Sequence, residues 1–374
     1  MELYLILFFL SFALAVYKNS QLRYANGIMN YGKLQDACTL LLLLLFTCVS
    51  GFRYEMGGTD YEYYRYVYGL ISGQHDFLGT LTDSQYEVGY TAYVYLCANV
   101  LHLSYNGSLV LEAFVFYSLM YVGLRRYIPN WGIFLMLFMY KMFFYVTFVA
   151  MRQAFTVAGF YAILHFLEER KLIKYYATLA LVSTFHYGAL MLFVLYPIFG
   201  LKIKKERLVA LGIVFGVLTL FSGLTGSLLY VVVSVLGLTQ LEDKASAYSA
   251  DASLSILYTI EYYLLYILMV KNYDKLKQRF QHADFVLIMF LIVLPIVTLF
   301  RSTLILVREL PYFYPAYAIL FYYVYAVSKG RKIIFGAFVT ICLLGIFKYV
   351  IQFDNGHFMH YKTWLFSPYV HLFQ

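Results

Sequence analysis

Long apolar runs separated by short polar segments recur along the chain from residue 2 to residue 350. A membrane-spanning helix needs about 17–25 largely apolar residues, and many of these runs reach or approach that length. The pattern predicts an all-α polytopic membrane protein with about ten to twelve membrane segments, some of them short or re-entrant. We expect residues 1–374 to form a single integral membrane domain.

Two regions of the pattern do not fit simple crossings. The run 175–199 is flanked by basic clusters at both ends, which a single crossing would place on opposite sides of the membrane. A hairpin of two short helices that turns near His186 removes the conflict. The runs 86–104 and 107–124 cannot both cross fully if segment 53–86 lies outside and the next basic pair lies inside.

Composition strengthens the membrane assignment. The chain is 62% hydrophobic and 13% charged, whereas soluble domains average roughly 45–50% apolar and 25% charged residues. This composition excludes a soluble enzyme, a disordered chain and a disulfide scaffold. The four cysteines lie in apolar segments without CxxC spacing, where thiols behave as small hydrophobic groups.

The formal net charge of +8 comes largely from short basic clusters between the apolar runs. Such clusters orient a membrane protein with its basic loops in the cytoplasm, so they indicate no nucleic-acid partner. This orientation places three polar segments on the outer side. They are 53–86, which carries a Gly-Gly-Thr-Asp-Tyr motif, 223–253 and the C-terminal tail 351–374.

Four groups that can carry positive charge are expected at one level near the outer face. Arg152 and His186 lie about 17 residues on either side of the basic turn near Arg170, which is about 25 Å at 1.5 Å per residue. The distribution of basic clusters along the chain, which sets its orientation in the membrane, places Arg301 and Arg308 at the same level. An intramembrane arginine is costly and usually faces a cavity or an anion, so this convergence predicts an anion site.

Simpler explanations exist for each of these groups. A single arginine near a helix end can extend its side chain to the lipid headgroups. This explanation fits Arg152 and Arg308 less well, because both are embedded among apolar and aromatic residues. A lone histidine such as His186 is more often a helix-packing residue than a catalytic one.

The outer segment 53–86 offers further groups for a ligand. Gly57 and Gly58 allow a tight turn in which the backbone approaches a ligand, with Arg53 and Asp60 close by in sequence. The many tyrosines of this segment suit an interfacial aromatic belt, and they also suit stacking on sugar rings.

Several short strings, in order along the chain, resemble one known family. They are Phe52-Arg53-Tyr54, Gly58-Thr59-Asp60-Tyr61 with Tyr64, Glu87-x-Gly89-Tyr90, Met151-Arg152-Gln153-Ala154, Phe185-His186-Tyr187-Gly188-Ala189-Leu190, and Arg308 with Tyr312-Phe313. From about residue 30 to the tail, the sequence is similar to the EpsG family of Wzy-like polysaccharide polymerases. The segment after Asp60 is richer in tyrosine than the family pattern, which leaves the acceptor specificity open.

The resemblance implies a glycosyltransferase with a fold of the membrane class C type. Such an enzyme joins oligosaccharide repeat units carried on undecaprenyl diphosphate into an exopolysaccharide, capsule or O-antigen-like polymer. It implies a multi-pass protein of the bacterial cytoplasmic (inner) membrane with an outward-facing active site. No metal, cofactor or nucleotide sugar is expected. The implied partners are the lipid-linked oligosaccharides, membrane lipid, and a flippase and chain-length regulator.

The resemblance and the depth argument together predict the site. Arg152 and Arg308 are assigned to the diphosphate, and Asp60, Glu87 or His186 to deprotonation of the acceptor hydroxyl. The predicted catalytic residues are Asp60, Glu87, Arg152 and His186, and the predicted substrate-binding residues are Arg53, Tyr61, Tyr64, Gln153, Arg301, Arg308 and Tyr312.

Three other functions remain open from the sequence. A lipid-linked glycan ligase would use the same arginine and histidine set with a different acceptor. A transporter or flippase of lipid-linked sugars would also carry intramembrane arginines, but such folds often show paired halves, and the sequence has no internal repeat. A purely structural subunit would leave the intramembrane arginines without a physical explanation.

Overall fold

A computed structural model of the chain describes residues 1–19, 33–201, 204–223, 254–366 and 372–373. Helices dominate the described residues, which form no β-strand beyond isolated bridges. This confirms the predicted all-α membrane class. The chain divides into two compact units, the first formed by Met1–Tyr196 with Lys332–Gln374 and the second by Pro197–Arg331.

The first unit is built around long apolar helices that pack side by side. Helix α6 packs on both α2 and α8, and α1 packs on α7. The α-helices of this part, in chain order, are α1 (Glu2–Asn19), α2 (Lys33–Gly51), α3 (Gly58–Ile71), α4 (Phe77–Asp83), α5 (Val88–Tyr95), α6 (Tyr105–Leu124), α7 (Trp131–Phe138), α8 (Met151–Glu168), α9 (Leu172–Ser183) and, at its boundary, α10 (Leu195–Ile198).

The second unit is also helical, and α14 packs against α16 in its core. Its described α-helices are α11 (Lys205–Leu218), α12 (Ile256–Lys271), α13 (Tyr273–Arg279), α14 (Ala283–Val297), α15 (Leu304–Val307) and α16 (Leu310–Val327). The chain then enters α17 (Arg331–Gln352), nearly all of which belongs to the first unit.

Three helices of the described chain are long and apolar enough to cross a membrane. They are Leu34–Gly51, Tyr105–Leu124 and Arg331–Gln352. Five shorter apolar helical segments accompany them, namely Glu2–Tyr17, Trp131–Phe143, Leu172–Ser183, Tyr187–Ile198 and Ala283–Val297. Several of the apolar runs do not form one continuous α-helix. They are interrupted by π turns at Leu96–Val100 and Met139–Phe143 and by a 3₁₀ segment at Tyr187–Val194.

Of the runs 86–104 and 107–124, which could not both cross the membrane fully, the first forms the shorter helix. Helix α5 and its π turn cover Val88–Val100, which is about 20 Å of helix against a hydrocarbon core of about 30 Å. Helix α6 has 20 residues and begins with a Ser104 side chain that accepts a hydrogen bond from the Gly107 N–H. A short α5 beside a full-length α6 agrees with the predicted mixture of spanning and short helices.

The hairpin predicted within 175–199 is confirmed. Helix α9 ends at Ser183, and the chain returns through the 3₁₀ helix Tyr187–Val194 and α10. The Tyr175 hydroxyl donates to the Leu192 carbonyl at 2.7 Å, which ties the two arms together. His186 lies in the turn with an extended backbone conformation.

Segment 53–86, predicted as an outer loop, contains the helices α3 and α4. Gly57 precedes α3 with a φ of 143°, and a side chain at this position would clash with the carbonyl oxygen of Phe148. The sequence suggested that the backbone at the double glycine approaches a ligand. In the structure, the backbone at Gly57 approaches Phe148 of the same chain instead.

The C-terminal tail packs against the N-terminal part of the first unit, to which it belongs. Isolated antiparallel bridges join Arg53 to Thr363 and Leu103 to Phe373. Residues 367–371 and 374 of the predicted outer tail, and residues 224–253 of the predicted outer loop 223–253, lie outside the described residues.

Candidate functional site

Glu87 lies at the centre of a polar cluster in the first unit. It precedes α5, and its side chain is 6% exposed. One carboxylate oxygen accepts a hydrogen bond from Arg152 Nη1 at 2.5 Å, and the other accepts from His186 Nδ1 at 3.0 Å. The Tyr187 N–H also donates to this second oxygen, at 3.3 Å. One carboxylate thus joins the start of α5, the start of α8 and the turn of the α9 hairpin.

Arg152 is held in the first turn of α8 although the helix dipole disfavours a cation there. Its Nε donates to the Tyr64 hydroxyl at 3.2 Å, and its guanidinium lies 4.5 Å from the centroid of the Tyr86 ring. With Glu87 these contacts compensate the unfavourable position. The Arg152 side chain keeps 27% of its surface exposed, so an anion can reach it.

His186 presents one ring nitrogen to Glu87 and keeps the other for a ligand. An ionised carboxylate only accepts hydrogen bonds, so Nδ1 carries the proton in this contact. In the neutral imidazole, Nε2 is then an acceptor. The side chain is 23% exposed, which is enough for contact with a bound hydroxyl group.

Glu87 stays ionised at neutral pH despite its burial. Burial raises the pKa of this carboxyl group, but the hydrogen bond from His186 and the charge of Arg152 outweigh it and lower the pKa to about 2. Glu87 lies outside the three candidate spans. We call Glu87, Arg152, His186, Tyr64 and Tyr86 the Glu87 cluster.

The arrangement pairs an anion binder with a proton acceptor. A partly exposed guanidinium and an oriented imidazole side by side suit a reaction in which a hydroxyl group displaces a negatively charged leaving group. Among the described residues, no group of three or more His, Cys, Asp and Glu side chains is placed to hold a metal ion.

A family model covers the whole cluster. Residues 36–363, most of the chain, match the model of the EpsG family. The chain belongs to the EpsG family. EpsG family members are Wzy-like polysaccharide polymerases, so the chain has a polysaccharide polymerase-like role with glycosyltransferase-like chemistry. Neither the curated proteins nor the solved structures contain a match to the chain.

In this EpsG family protein, the structure brings together four of the predicted site residues, namely Tyr64, Glu87, Arg152 and His186. Asp60 lies nearby, one helical turn before Tyr64 in α3. Its charge raises the pKa of the Tyr64 hydroxyl, although burial raises it more. An acidic residue in a first helical turn also has a structural explanation, because it interacts favourably with the helix dipole.

Arg53 does not join the Glu87 cluster. It is 1% exposed, its Nη1 donates to the Ser50 carbonyl, and its guanidinium lies 5.2 Å from the centroid of the Phe148 ring. The bridge to Thr363 covers it with the C-terminal tail. The sequence predicted that Arg53 binds the substrate. In this structure, its side chain is enclosed and has no open route to a ligand.

Tyr61 and Gln153 also point into the protein. The Tyr61 hydroxyl donates to Asn106 at 2.9 Å, and Gln153 accepts a hydrogen bond from the Tyr145 hydroxyl at 3.3 Å. Both side chains are buried. Tyr61 lies one helical turn before Tyr64 on the same face of α3, and Gln153 directly follows Arg152 in α8 and points to a different face. Their contacts support the packing around the cluster.

Arg301, Arg308 and Tyr312 belong to the second unit. Arg301 donates through Nε and Nη2 to the carbonyl of Leu254, at 3.2 and 2.8 Å. Arg308 is partly buried, and Tyr312 is fully buried in α16. That Arg301 and Arg308 share a level with Arg152 and His186 stays a prediction.

Tyr86 is the member of the cluster that sequence reasoning missed. Its ring lies under the Arg152 guanidinium and packs at 5.4 Å from the Tyr64 ring. The available signal was its position directly before Glu87, in a segment already rich in tyrosine.

Proposed function

We propose that this EpsG family protein joins oligosaccharide repeat units carried on undecaprenyl diphosphate into a surface polysaccharide. The reaction takes place at the outer face of the bacterial cytoplasmic membrane. The observation that supports this best is the Glu87 cluster, in which one buried carboxylate holds an accessible guanidinium and an accessible imidazole. Transfer from a diphosphate to a hydroxyl group requires these two functions together.

In the proposed reaction, the oxygen of the acceptor hydroxyl attacks the anomeric carbon of the donor sugar. The bond from that carbon to the diphosphate oxygen breaks, and the lipid diphosphate leaves with the electron pair. His186 Nε2 takes the proton of the acceptor hydroxyl. Arg152 stabilises the charge on the leaving group, with the N-terminal end of α8 beside it.

Glu87 is a positioning residue in this mechanism. It fixes the tautomer of His186 through Nδ1 and stabilises the imidazolium that forms when Nε2 is protonated, as the acidic member of a catalytic triad does. His186 is favoured over Asp60 as the base because it has this support. Asp60 keeps a place near Tyr64, at the rim of the cluster.

We propose that Arg308 binds the diphosphate together with Arg152, that Arg301 is a secondary cation, and that Tyr312 is a substrate-binding residue. Arg53 would take part only if the C-terminal tail moved. The lipid-linked units would come from a flippase, and a chain-length regulator would act on the same product.

The first prediction concerns Arg152. Arg152→Ala should lower polymer formation about 10²–10³-fold, because it removes the group that stabilises the leaving diphosphate. Arg152→Lys should also fail, since a lysine provides only a point charge where the guanidinium bonds Glu87 and Tyr64 and still faces a ligand. Polymer is measured on gels of cell extracts, with protein levels followed through an affinity tag.

Arg126 offers a matched control for these variants. It lies at the other end of the same packed pair of helices, where it forms an exposed ion pair with Glu169 at 3.0 Å. Arg126→Ala and Arg126→Lys should keep polymer formation. Normal polymer in Arg152→Ala would eliminate the proposed role. If Arg152→Ala instead accumulates full-length polymer that is still attached to its lipid carrier, the lost step is transfer of the finished polymer, and the protein is a glycan ligase.

A further inference from the structure

We infer that a cleft between α3 and α4 binds the glycan part of the substrate, and that the sugar held there carries no negative charge. This inference rests on the proposed function and specifies its substrate class. The cleft has a volume of about 340 Å³, which lies within the range of small-molecule sites. Its polar and aromatic lining includes Tyr66, Gln74, Asp76, Thr80, Asp83 and Gln85.

The lining has the chemistry that recognises sugars. Tyr66 is 62% exposed and offers a flat aromatic face to a sugar ring. Amide, hydroxyl and carboxylate groups surround it and can donate to and accept from sugar hydroxyls. Two other grooves, on α1 with α2 and on α2 with α6, have almost entirely apolar linings, as suits lipid chains.

Charge selects among sugars in this cleft. Asp76 stands at the N-cap position of α4, yet its side chain makes no capping hydrogen bond. Asp83 contributes a second carboxylate, whose Oδ1 accepts from Thr82 at 3.3 Å. In this fully described stretch, neither lysine nor arginine lines the cleft. Uronic acids and phosphorylated sugars would therefore be repelled, whereas neutral and amino sugars would be accepted.

The cleft lies beside the Glu87 cluster, because its lining residue Gln85 directly precedes Tyr86 and Glu87 in the chain. The Tyr63 hydroxyl donates to Gln85 Oε1 at 2.5 Å, and the Tyr63 ring packs edge-on against Tyr86 at 5.9 Å. Asp83 is four residues from Glu87, so their Cα atoms are at most about 14 Å apart. We therefore infer that a glycan in the cleft has one end near the Glu87 cluster, to which His186 belongs.

The two sites present different charged groups to a ligand. The cleft presents carboxylates, whereas in the Glu87 cluster the carboxylate is buried and the partly exposed charge is the Arg152 guanidinium. A lipid-linked repeat unit has a dianionic diphosphate at one end only. The cleft would repel that end and accept the uncharged glycan, which directs the acceptor hydroxyl toward His186.

The experiment begins with cells from which the gene has been deleted. Single lipid-linked repeat units should accumulate in them, and mild acid releases the oligosaccharide from the lipid. Binding of this released oligosaccharide to the purified full-length protein in nanodiscs is then measured by calorimetry. Its sugar composition is determined in parallel.

Two variants test the cleft directly. Tyr66→Ala should weaken binding about tenfold, since it removes the stacking face. Asp83→Asn should weaken binding about tenfold or more, because a hydrogen bond to a charged group is lost. Glu169→Gln, which removes an exposed carboxylate at the far end of α8, should bind as the wild type does. Each variant is checked for a single symmetrical peak in size-exclusion chromatography.

The outcomes separate the two proposals. If no lipid-linked units accumulate, the proposed function fails. If they accumulate but the wild type does not bind the glycan, or binds it no better than Tyr66→Ala and Asp83→Asn, the inference is overturned and the proposed function stands. Cleft-dependent binding of a repeat unit made entirely of acidic sugars would overturn the charge selection.

Discussion

At the scale of single residues, Glu87 determines what its neighbours can do. The carboxylate is almost fully removed from water, and its charge is stabilised by Arg152 and His186. A buried carboxylate without such partners would take up a proton. The same contacts orient the two side chains that we assign to the leaving group and to the base.

This coupling predicts a specific pH dependence of stability. The pKa of Glu87 is lowered in the folded protein to about 2, from about 4.5 in the unfolded chain. Its contribution, up to about 3 kcal/mol, is therefore fully present above pH 4.5 and is lost as the pH falls toward 2. The melting temperature of the wild type should exceed that of Glu87→Gln clearly at pH 7.

The difference between the two proteins should shrink at pH 3. Melting is followed by fluorescence-detected size-exclusion chromatography after heating. Glu169→Gln is the control, because its partners Arg126 and Lys171 lie on the surface, where an ion pair contributes little. A constant difference from pH 7 to pH 3 would show that Glu87 is not the group that titrates.

At the scale of elements, the site depends on the contact between α5 and the α9 hairpin. The Gly89 N–H in the first turn of α5 donates to the Thr184 carbonyl at 2.8 Å. A side chain at Gly89 would clash with the Thr184 side chain and approach its carbonyl carbon to 2.8 Å. Glycine at this position lets the hairpin turn come close enough for His186 to bond to Glu87.

We predict that Gly89→Ala uncouples these elements. Overpacking of this kind costs about 1–3 kcal/mol, and misplacement of His186 by about 1 Å should lower polymer formation about 10²-fold. Gly336→Ala is the matched control, since its neighbourhood in α17 is open for 4 Å around the new carbon. Equal polymer in both variants would show that the contact does not position the site.

At the scale of the whole chain, the C-terminal tail ties distant segments of the first unit together. The backbone N–H of Trp364 donates to the Phe52 carbonyl at 3.3 Å, and the indole ring of Trp364 lies 5.4 Å from the Phe52 ring. The Ser104 N–H donates to the Leu372 carbonyl at 2.9 Å. These contacts bring the last residues against the ends of α2 and α6, and they enclose Arg53.

We predict that Trp364→Ala destabilises the protein by about 3–5 kcal/mol, as truncation of a buried aromatic side chain does. Phe366, two residues further on, is 89% exposed and supplies the control. Phe366→Ala should leave the melting temperature unchanged in detergent, where Trp364→Ala lowers it by several degrees. Similar melting of the two variants would show that the tail is only loosely attached.

Much of the fold followed from local patterns. Apolar runs and flanking basic clusters predicted the helical membrane class and the hairpin around His186, because both depend on properties that a short window of sequence contains. The breaks within runs, such as the π turn Leu96–Val100, were not predictable in this way. A π turn differs from an α-helix in its backbone hydrogen-bond pattern, which the spacing of apolar residues does not encode.

The candidate site divides along the same line. The sequence by itself determined the chemical groups, because residue types such as Arg152 and His186 and their distances from a basic turn are properties of the linear chain. Only the tertiary structure decided which groups meet. Glu87 joins them across 65 and 99 residues, and Arg53 is turned away beneath the tail, since both outcomes depend on long-range packing that no local window specifies.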